Sequence, residues 1–191
     1  MIAGLVSDTH GLYDPRLDEF LRNAELIVHA GDVGSGEVLG RLRLLAPVCA
    51  VRGNVDAPDS GWPLSRTLAL GAWVLQALHI LPAPASSLKR WAVEARASRR
   101  LAPPAGRLLA AVDPAAHVVV FGHSHEPCLL AFGGVLWVNP GSAGPKRFRL
   151  PRTCALLDVT DERIEAKIVP LESCAGALPR PLTFRRDERR A

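Results

Sequence analysis

The first 54 residues carry three apolar runs, "MIAGLV", "AELIVHA" and "APVCAV", each ending in a short polar cluster. Between them lie segments with helical spacing: Leu17, Phe20 and Leu21 recur in "PRLDEFLRN", and "SGEVLGRLRLL" opens on Ser35, a residue suited to cap a helix. Strands that alternate with helices must run parallel and be joined by helical crossovers, so the chain is expected to begin βαβαβ. This order constrains the fold more than any other feature.

After residue 60 the rhythm changes. "RTLALGAWVLQALHI" breaks at Gly71 into two apolar runs, the pattern of a hairpin or adjacent strands. Residues 86–111 read as two helices with a break at Pro103-Pro104. "HVVVFG", "CLLAFGG", "VLWVNPG", "RTCALLDVT" and "RIEAKIVPL" follow as short strands, so the second half is expected to close as a mostly antiparallel sheet. Two packed sheets with helices outside accommodate both halves in one α/β (α+β) domain over residues 1–174. Residues 175–191 are expected to form a loose C-terminal tail.

Composition narrows the function classes. With 48% hydrophobic and 22% charged residues the chain is neither disordered nor fibrous. Its net charge of +4 admits a nucleic-acid partner, but the basic residues are scattered, and the tail "RRDERRA" that clusters them also carries acids. No aromatic stacking platform accompanies them, which argues against nucleic acid. Cys49, Cys128, Cys154 and Cys174 form no CxxC and read as reduced thiols. The amino terminus enters an apolar strand without a basic leader, and no apolar run approaches a membrane span. A cytoplasmic protein with no membrane partner is therefore expected. "GDVGSG" matches neither the dinucleotide fingerprint nor the phosphate loop.

The polar clusters carry the chemistry. In an extended segment residues two apart project to one side, so His123 and His125 in "FGHSH" can serve one metal, as can Asp8 and His10 in "SDTHG". Asp32 in "HAGD" and Asn54 in "VRGN" each follow a glycine after a strand, and His79 closes the run "LQALH". Ligand groups gather outside the carboxyl ends of parallel strands, so these seven residues form one candidate metal site. His29 and His117, within or just before strands, are read as core or supporting residues.

The motifs "SDTHG" (7–11), "HAGDVGS" (29–35), "VRGNVD" (51–56), "FGHSH" (121–125) and "VNPGSAG" (138–144) occur in this order. In them the sequence resembles the calcineurin-like metallophosphoesterases, and more closely their small single-domain prokaryotic phosphodiesterase branch. The resemblance implies a four-layer αββα sandwich of two mixed sheets, metallo-dependent phosphatase-like, around a two-metal centre. Asp8, His10 and His125 would hold the first ion, Asn54, His79 and His123 the second, with Asp32 bridging. Such mixed ligands suit Mn²⁺, or Fe, Ni, Co or Zn, better than Mg²⁺ or Ca²⁺. A hydroxide between the ions would be the nucleophile on a small phosphoester.

Two positions depart from the family pattern. Val55 stands where many relatives carry a proton-donating His, which leaves Asp56 either as general acid or as a turn residue. Ile80 follows His79 where relatives have Gly. Lys146 and Arg147, with Asn54, are candidates to bind a substrate phosphate. The expected activity is that of a metal-dependent phosphodiesterase. A non-catalytic scaffold like the retromer subunit of the same fold and a nuclease are the alternatives. Relatives often form dimers or larger assemblies, so a homo-oligomer stays open.

Overall fold

The computed structural model describes residues 1–98, 103–147, 149–172 and 177–188. Strands β1 (Ile2–Val6), β2 (Leu26–His29) and β3 (Val48–Ala50) pair in parallel and are connected by α1 (Arg16–Leu21) and α2 (Gly36–Arg43). Ser35 caps α2 by accepting the Glu37 N–H at 3.2 Å. The βαβαβ opening is therefore present.

The second half differs from expectation. Strands β4 (Ser65–Leu70) and β5 (Trp73–Leu78) do form a hairpin at Gly71, and two helices follow, α3 (Ala85–Ser98) and α4 (Pro103–Ala110). These helices carry the chain back to β6 (Val118–Val120), which pairs in parallel with β5; β7 (Cys128–Phe132) and β8 (Val135–Asn139) complete the sheet. Its order is β4-β5-β6-β8-β7, with β5, β6 and β8 parallel and only the edges antiparallel. The mostly antiparallel sheet read from the run of short strands is thus corrected at the centre of this sheet, where β5, β6 and β8 run parallel. A crossover as long as α3 and α4 permits parallel pairing, which a two-residue turn cannot.

Strands β9 (Thr153–Val159), β10 (Arg163–Pro170) and β11 (Leu182–Arg185) join the other sheet, in the order β11-β10-β9-β1-β2-β3. All their pairings are antiparallel. β11 lies inside the segment expected to be a loose tail, yet it pairs with β10 and buries Phe184 completely. That part of the expectation is corrected: a bare strand edge and an unfilled core position hold the segment in place.

Three apolar clusters define the layers. Between the sheets lie Leu5, Val28, Leu75, Val120, Val138, Leu157 and Phe184. On the outer face of the first sheet, Leu17, Leu21, Val38, Leu39 and Leu42 of α1 and α2 cover Ile27 and Cys154. On the outer face of the second, Leu88, Trp91 and Leu108 cover Val119 and Trp137. Strand residues alternate between the middle cluster and an outer one, as Val118 and Val120 do against Val119. The result is the four-layer αββα sandwich.

Among the described residues no helix is long and apolar enough to cross a membrane. Cys49, Cys128 and Cys154 are buried free thiols, and burial pushes those of Cys128 and Cys154 up to about 12. Cys174 lies outside the described residues.

Candidate metal centre

The seven candidate ligands follow the carboxyl ends of β1, β2, β3, β5 and β6. Their backbone is unusual. Among the described residues, the non-glycine positions with positive φ are Asp8 (54°), His10 (48°), Asp32 (52°), His123 (68°) and His125 (57°). All five are candidate ligands. Each left-handed residue costs roughly 1–2 kcal/mol, and such strain persists where the surroundings dictate the conformation. The D-x-H and H-x-H pairs therefore converge through left-handed turns at both members rather than through the extended geometry inferred from sequence.

The surroundings that hold these turns are hydrogen-bonded across loops. The amides of Asp8, His10 and Gly11 donate to the carbonyls of Gly31, Asp32 and Val33 at 3.0, 2.9 and 2.8 Å. Asp8 Oδ2 accepts the Ser7 hydroxyl at 2.6 Å, both carboxylate oxygens share the His123 amide at 3.2 and 3.3 Å, and Oδ1 faces His79 and His125. A Cβ at Gly122 would lie 2.1 Å from Ser7 Oγ, and one at Gly53 would lie 2.0 Å from Asp32 Oδ1. Only glycine admits these approaches.

Two groups of ligand atoms result. Asp8, His10 and His125 form one, with His125 Nε2 3.3 Å from both Asp8 Oδ1 and His10 Nε2. In the other, His79 Nε2 lies 3.2 Å from Asp32 Oδ1, 3.1 Å from Asn54 Oδ1 and 3.9 Å from Asp8 Oδ1. His123 Nδ1 completes it, 2.9 Å from Asn54 Oδ1. Asp32 faces both groups, since its Oδ2 is 3.8 Å from His10 Nε2. Asp8 also belongs to both, a sharing that the sequence does not reveal.

The electrostatics suit a cation. Burial lifts the Asp8 carboxyl to about 6, a sign that its charge lacks sufficient compensation. Burial holds His10 below its ordinary value and lowers His125 to about 4, so both rings are neutral near pH 7 with lone pairs to offer. Burial also opposes protonation of His79, but hydrogen bonding to Asp32 and the Asp8 charge outweigh it and raise that pKa. Burial disfavours the charged form of Asp32 too, and is outweighed by His79 and the Val55 N–H, leaving it at about 2. His79 Nδ1 is 2.8 Å from the Ala30 carbonyl and must donate to it, which leaves Nε2 facing three oxygens. Acceptors crowded this closely repel unless a proton or metal ion lies among them; the donor set fits two transition-metal ions.

The sequence matches the Calcineurin-like phosphoesterase superfamily domain over residues 1–162. The chain belongs to this superfamily. A probable metallophosphoesterase of Methanocaldococcus jannaschii is 32% identical to this superfamily member over 181 residues, covering 90% of this chain and 82% of the relative. Among solved structures, Yfce, a phosphoesterase from E. coli, aligns with a TM-score of 0.62 at 20% identity, over 97% of this chain and all of the neighbour. Wild-type Vps29 from Entamoeba histolytica complexed with Zn²⁺ gives 0.68 at 19% identity, over 97% of this chain and all of that one. The likenesses to these two structures are likenesses of fold.

Within this calcineurin-like domain, two candidate residues have other work. Asp56 accepts N–H bonds from Val33, Gly34 and Gly53 at 3.2, 2.8 and 2.8 Å, so its carboxylate ties the loops carrying Asp32 and Asn54 together. The turn role, rather than general acid, is what this geometry describes. Lys146 points to Glu172 at 3.8 Å, within a network of Arg16, Arg152 and Asp14, instead of toward the ligands. Arg147 remains beside the site: its positive charge contributes to the lowered pKa of both His10 and His125. Ile80 leaves His79 in place, because the imidazole is buried while the Ile80 side chain is half exposed.

Supporting residues went unread in the sequence. Asn139 Nδ2 donates to the Gly122 carbonyl at 3.0 Å and to Ser124 Oγ at 3.1 Å, and Ser142 Oγ donates to the Asp8 carbonyl at 2.9 Å. The motif "VNPGSAG" therefore braces the ligand loops; its recurrence in family order was the available signal. His29, set outside the site on sequence, accepts the Gly31 N–H at Nδ1 and donates from Nε2 to Thr9 Oγ1, 3.0 Å away. Thr9 passes a hydrogen bond to the Val33 carbonyl. Burial lowers the His29 pKa to about 3, which keeps this bridge between the first two ligand loops neutral. His117 accepts the Val74 N–H and packs edge-on to Trp73, away from the metal centre.

Proposed function

We propose that this chain is a metal-dependent phosphodiesterase acting on small phosphodiesters. One observation carries the reading: seven side chains from five loops bring their ligand atoms together, with Asp32 facing both groups. Asp8, His10 and His125 would hold one divalent ion, Asn54, His79 and His123 the other, and Asp32 both. Mn²⁺ is the favoured ion, with Fe, Ni, Co and Zn as alternatives. When bound, the ions supply Lewis-acid polarisation of the phosphoryl group and hydroxide at neutral pH.

The protein's own groups orient and select. The Arg147 cation, beside His10 and His125, attracts the substrate phosphate, and the exposed Asn54 lies where a phosphoryl oxygen would arrive. The loop after β3 offers no ready proton donor: Val55 is apolar and Asp56 is engaged by three amides. Esters whose alcohols leave without protonation are therefore the better substrates.

The test is to reconstitute purified protein with each metal in turn and assay bis(p-nitrophenyl) phosphate. Turnover that chelation abolishes is expected, most strongly with Mn²⁺; no turnover with any transition metal overturns the reading. Metal binding by itself does not separate an enzyme from a partner-binding scaffold on the same fold. Turnover does.

A further inference from the structure

Two clefts flank the Asn54–His79–His123 group. The larger, about 420 Å³, is lined by Asn54 and His79 together with Arg52, Leu64, Leu78 and Ile80. The smaller, about 370 Å³, is lined by His123 with Ile80, Leu81, Pro82 and Phe121. Both volumes fall within the ~300–1,000 Å³ of small-molecule sites. Ile80 is the one described residue that lines both, and it stands half exposed between them.

We propose that the two clefts receive the two organic substituents of a phosphodiester, with Ile80 as the wall between them and Arg52 binding an anionic group on the substituent in the larger cleft. This rests on the phosphodiesterase reading above and specifies the shape of its substrate. A phosphoryl group at the ligand cluster has ester oxygens leading away in different directions. A monoester would fill one cleft, whereas a diester fills both. The exposed apolar surfaces of Ile80 and Leu64, unfavourable in water, are covered when the clefts are occupied.

Arg52 brings to the larger cleft a guanidinium with capacity left to bind. Gln76, which also lines it, donates to Ser65 Oγ at 2.9 Å and accepts the Asp113 N–H at 2.8 Å, so both ends of its amide are used. Arg52 is partly buried, and its guanidinium makes no side-chain hydrogen bond or ion pair among the described residues. A guanidinium so placed favours a carboxylate or phosphate oxygen.

The experiment measures binding by calorimetry and KM by hydrolysis on the full Mn²⁺-loaded chain, with diphenyl phosphate, phenyl phosphate and 4-carboxyphenyl phenyl phosphate as probes. Ile80→Trp is expected to weaken diphenyl phosphate about tenfold or more, and phenyl phosphate less than about twofold, because the bulky wall closes only one of two arms. Ile80→Ala, which adds no bulk, is expected to weaken diphenyl phosphate about threefold by lost contact. Arg52→Gln is expected to cost the carboxylated diester about tenfold and diphenyl phosphate less than about threefold.

Equal effects on mono- and diester, or no binding of diphenyl phosphate at millimolar concentration, overturn the two-cleft assignment. Equal effects of Arg52→Gln on both diesters overturn the role of Arg52. If the binding pattern holds and no ester is turned over, the catalytic reading falls and the clefts stand. If diesters are turned over with KM indifferent to residue 80, the clefts fall and catalysis stands.

Discussion

His10 Nε2 and His125 Nε2 lie 3.3 Å apart although the residues are separated by 115 positions, and their rings stack at 5.2 Å between centroids. Both rings are depressed in pKa by burial, so neither carries a stabilising charge near pH 7. At most one of the two facing nitrogens donates; the arrangement directs lone pairs into a shared volume beside Asp8 and Asp32.

Asp32→Asn tests whether one carboxylate serves both ions. Bound Mn²⁺, measured by elemental analysis after desalting, is expected to fall from about two ions per chain to about one, with at least ~10²-fold loss of hydrolysis. Retention of both ions would show that Asp32 is not shared.

Asp56→Asn separates positioning from acid catalysis. The amide keeps one acceptor but turns an NH₂ toward backbone N–H groups, so a loss of about 2–3 kcal/mol in urea unfolding is expected. The alkaline limb of the kcat–pH profile should keep its position. Disappearance of that limb with stability intact would make Asp56 the general acid.

His29 makes stability depend on pH in a definite direction. Its native pKa is about 3, against 6.5 when exposed, so between these values the unfolded chain binds the extra proton. Stability then rises with pH across that interval, and as pH falls below 6.5 the His29 contribution is lost at up to ~1.4 kcal/mol per unit. Urea unfolding at about pH 7 and about pH 5 should show a flatter dependence for His29→Gln than for the wild type. Identical slopes would contradict the assignment.

Phe184→Ala probes the docking of β11. The ring is wholly buried between the sheets and contacts Trp73 at 5.7 Å between centroids. Its removal is expected to cost ~3–5 kcal/mol. Unchanged thermal unfolding would return the segment to the status of a loose tail.

Sequence by itself determined the βαβαβ opening and the identity of the residues that gather at the metal centre. The reason is local: an apolar run that stops at a polar group after glycine reports a strand end, and parallel strands place such ends together. Tertiary structure alone decided which sheet each late strand joined, because short apolar runs carry no record of the partner that a long crossover makes available. It also decided that Asp56 fastens loops, that Asp8 belongs to both ligand groups, that Lys146 turns to Glu172, and that Ile80 divides two clefts. These depend on side chains from distant loops competing for the same few acceptors and the same space, a contest that residue spacing does not encode.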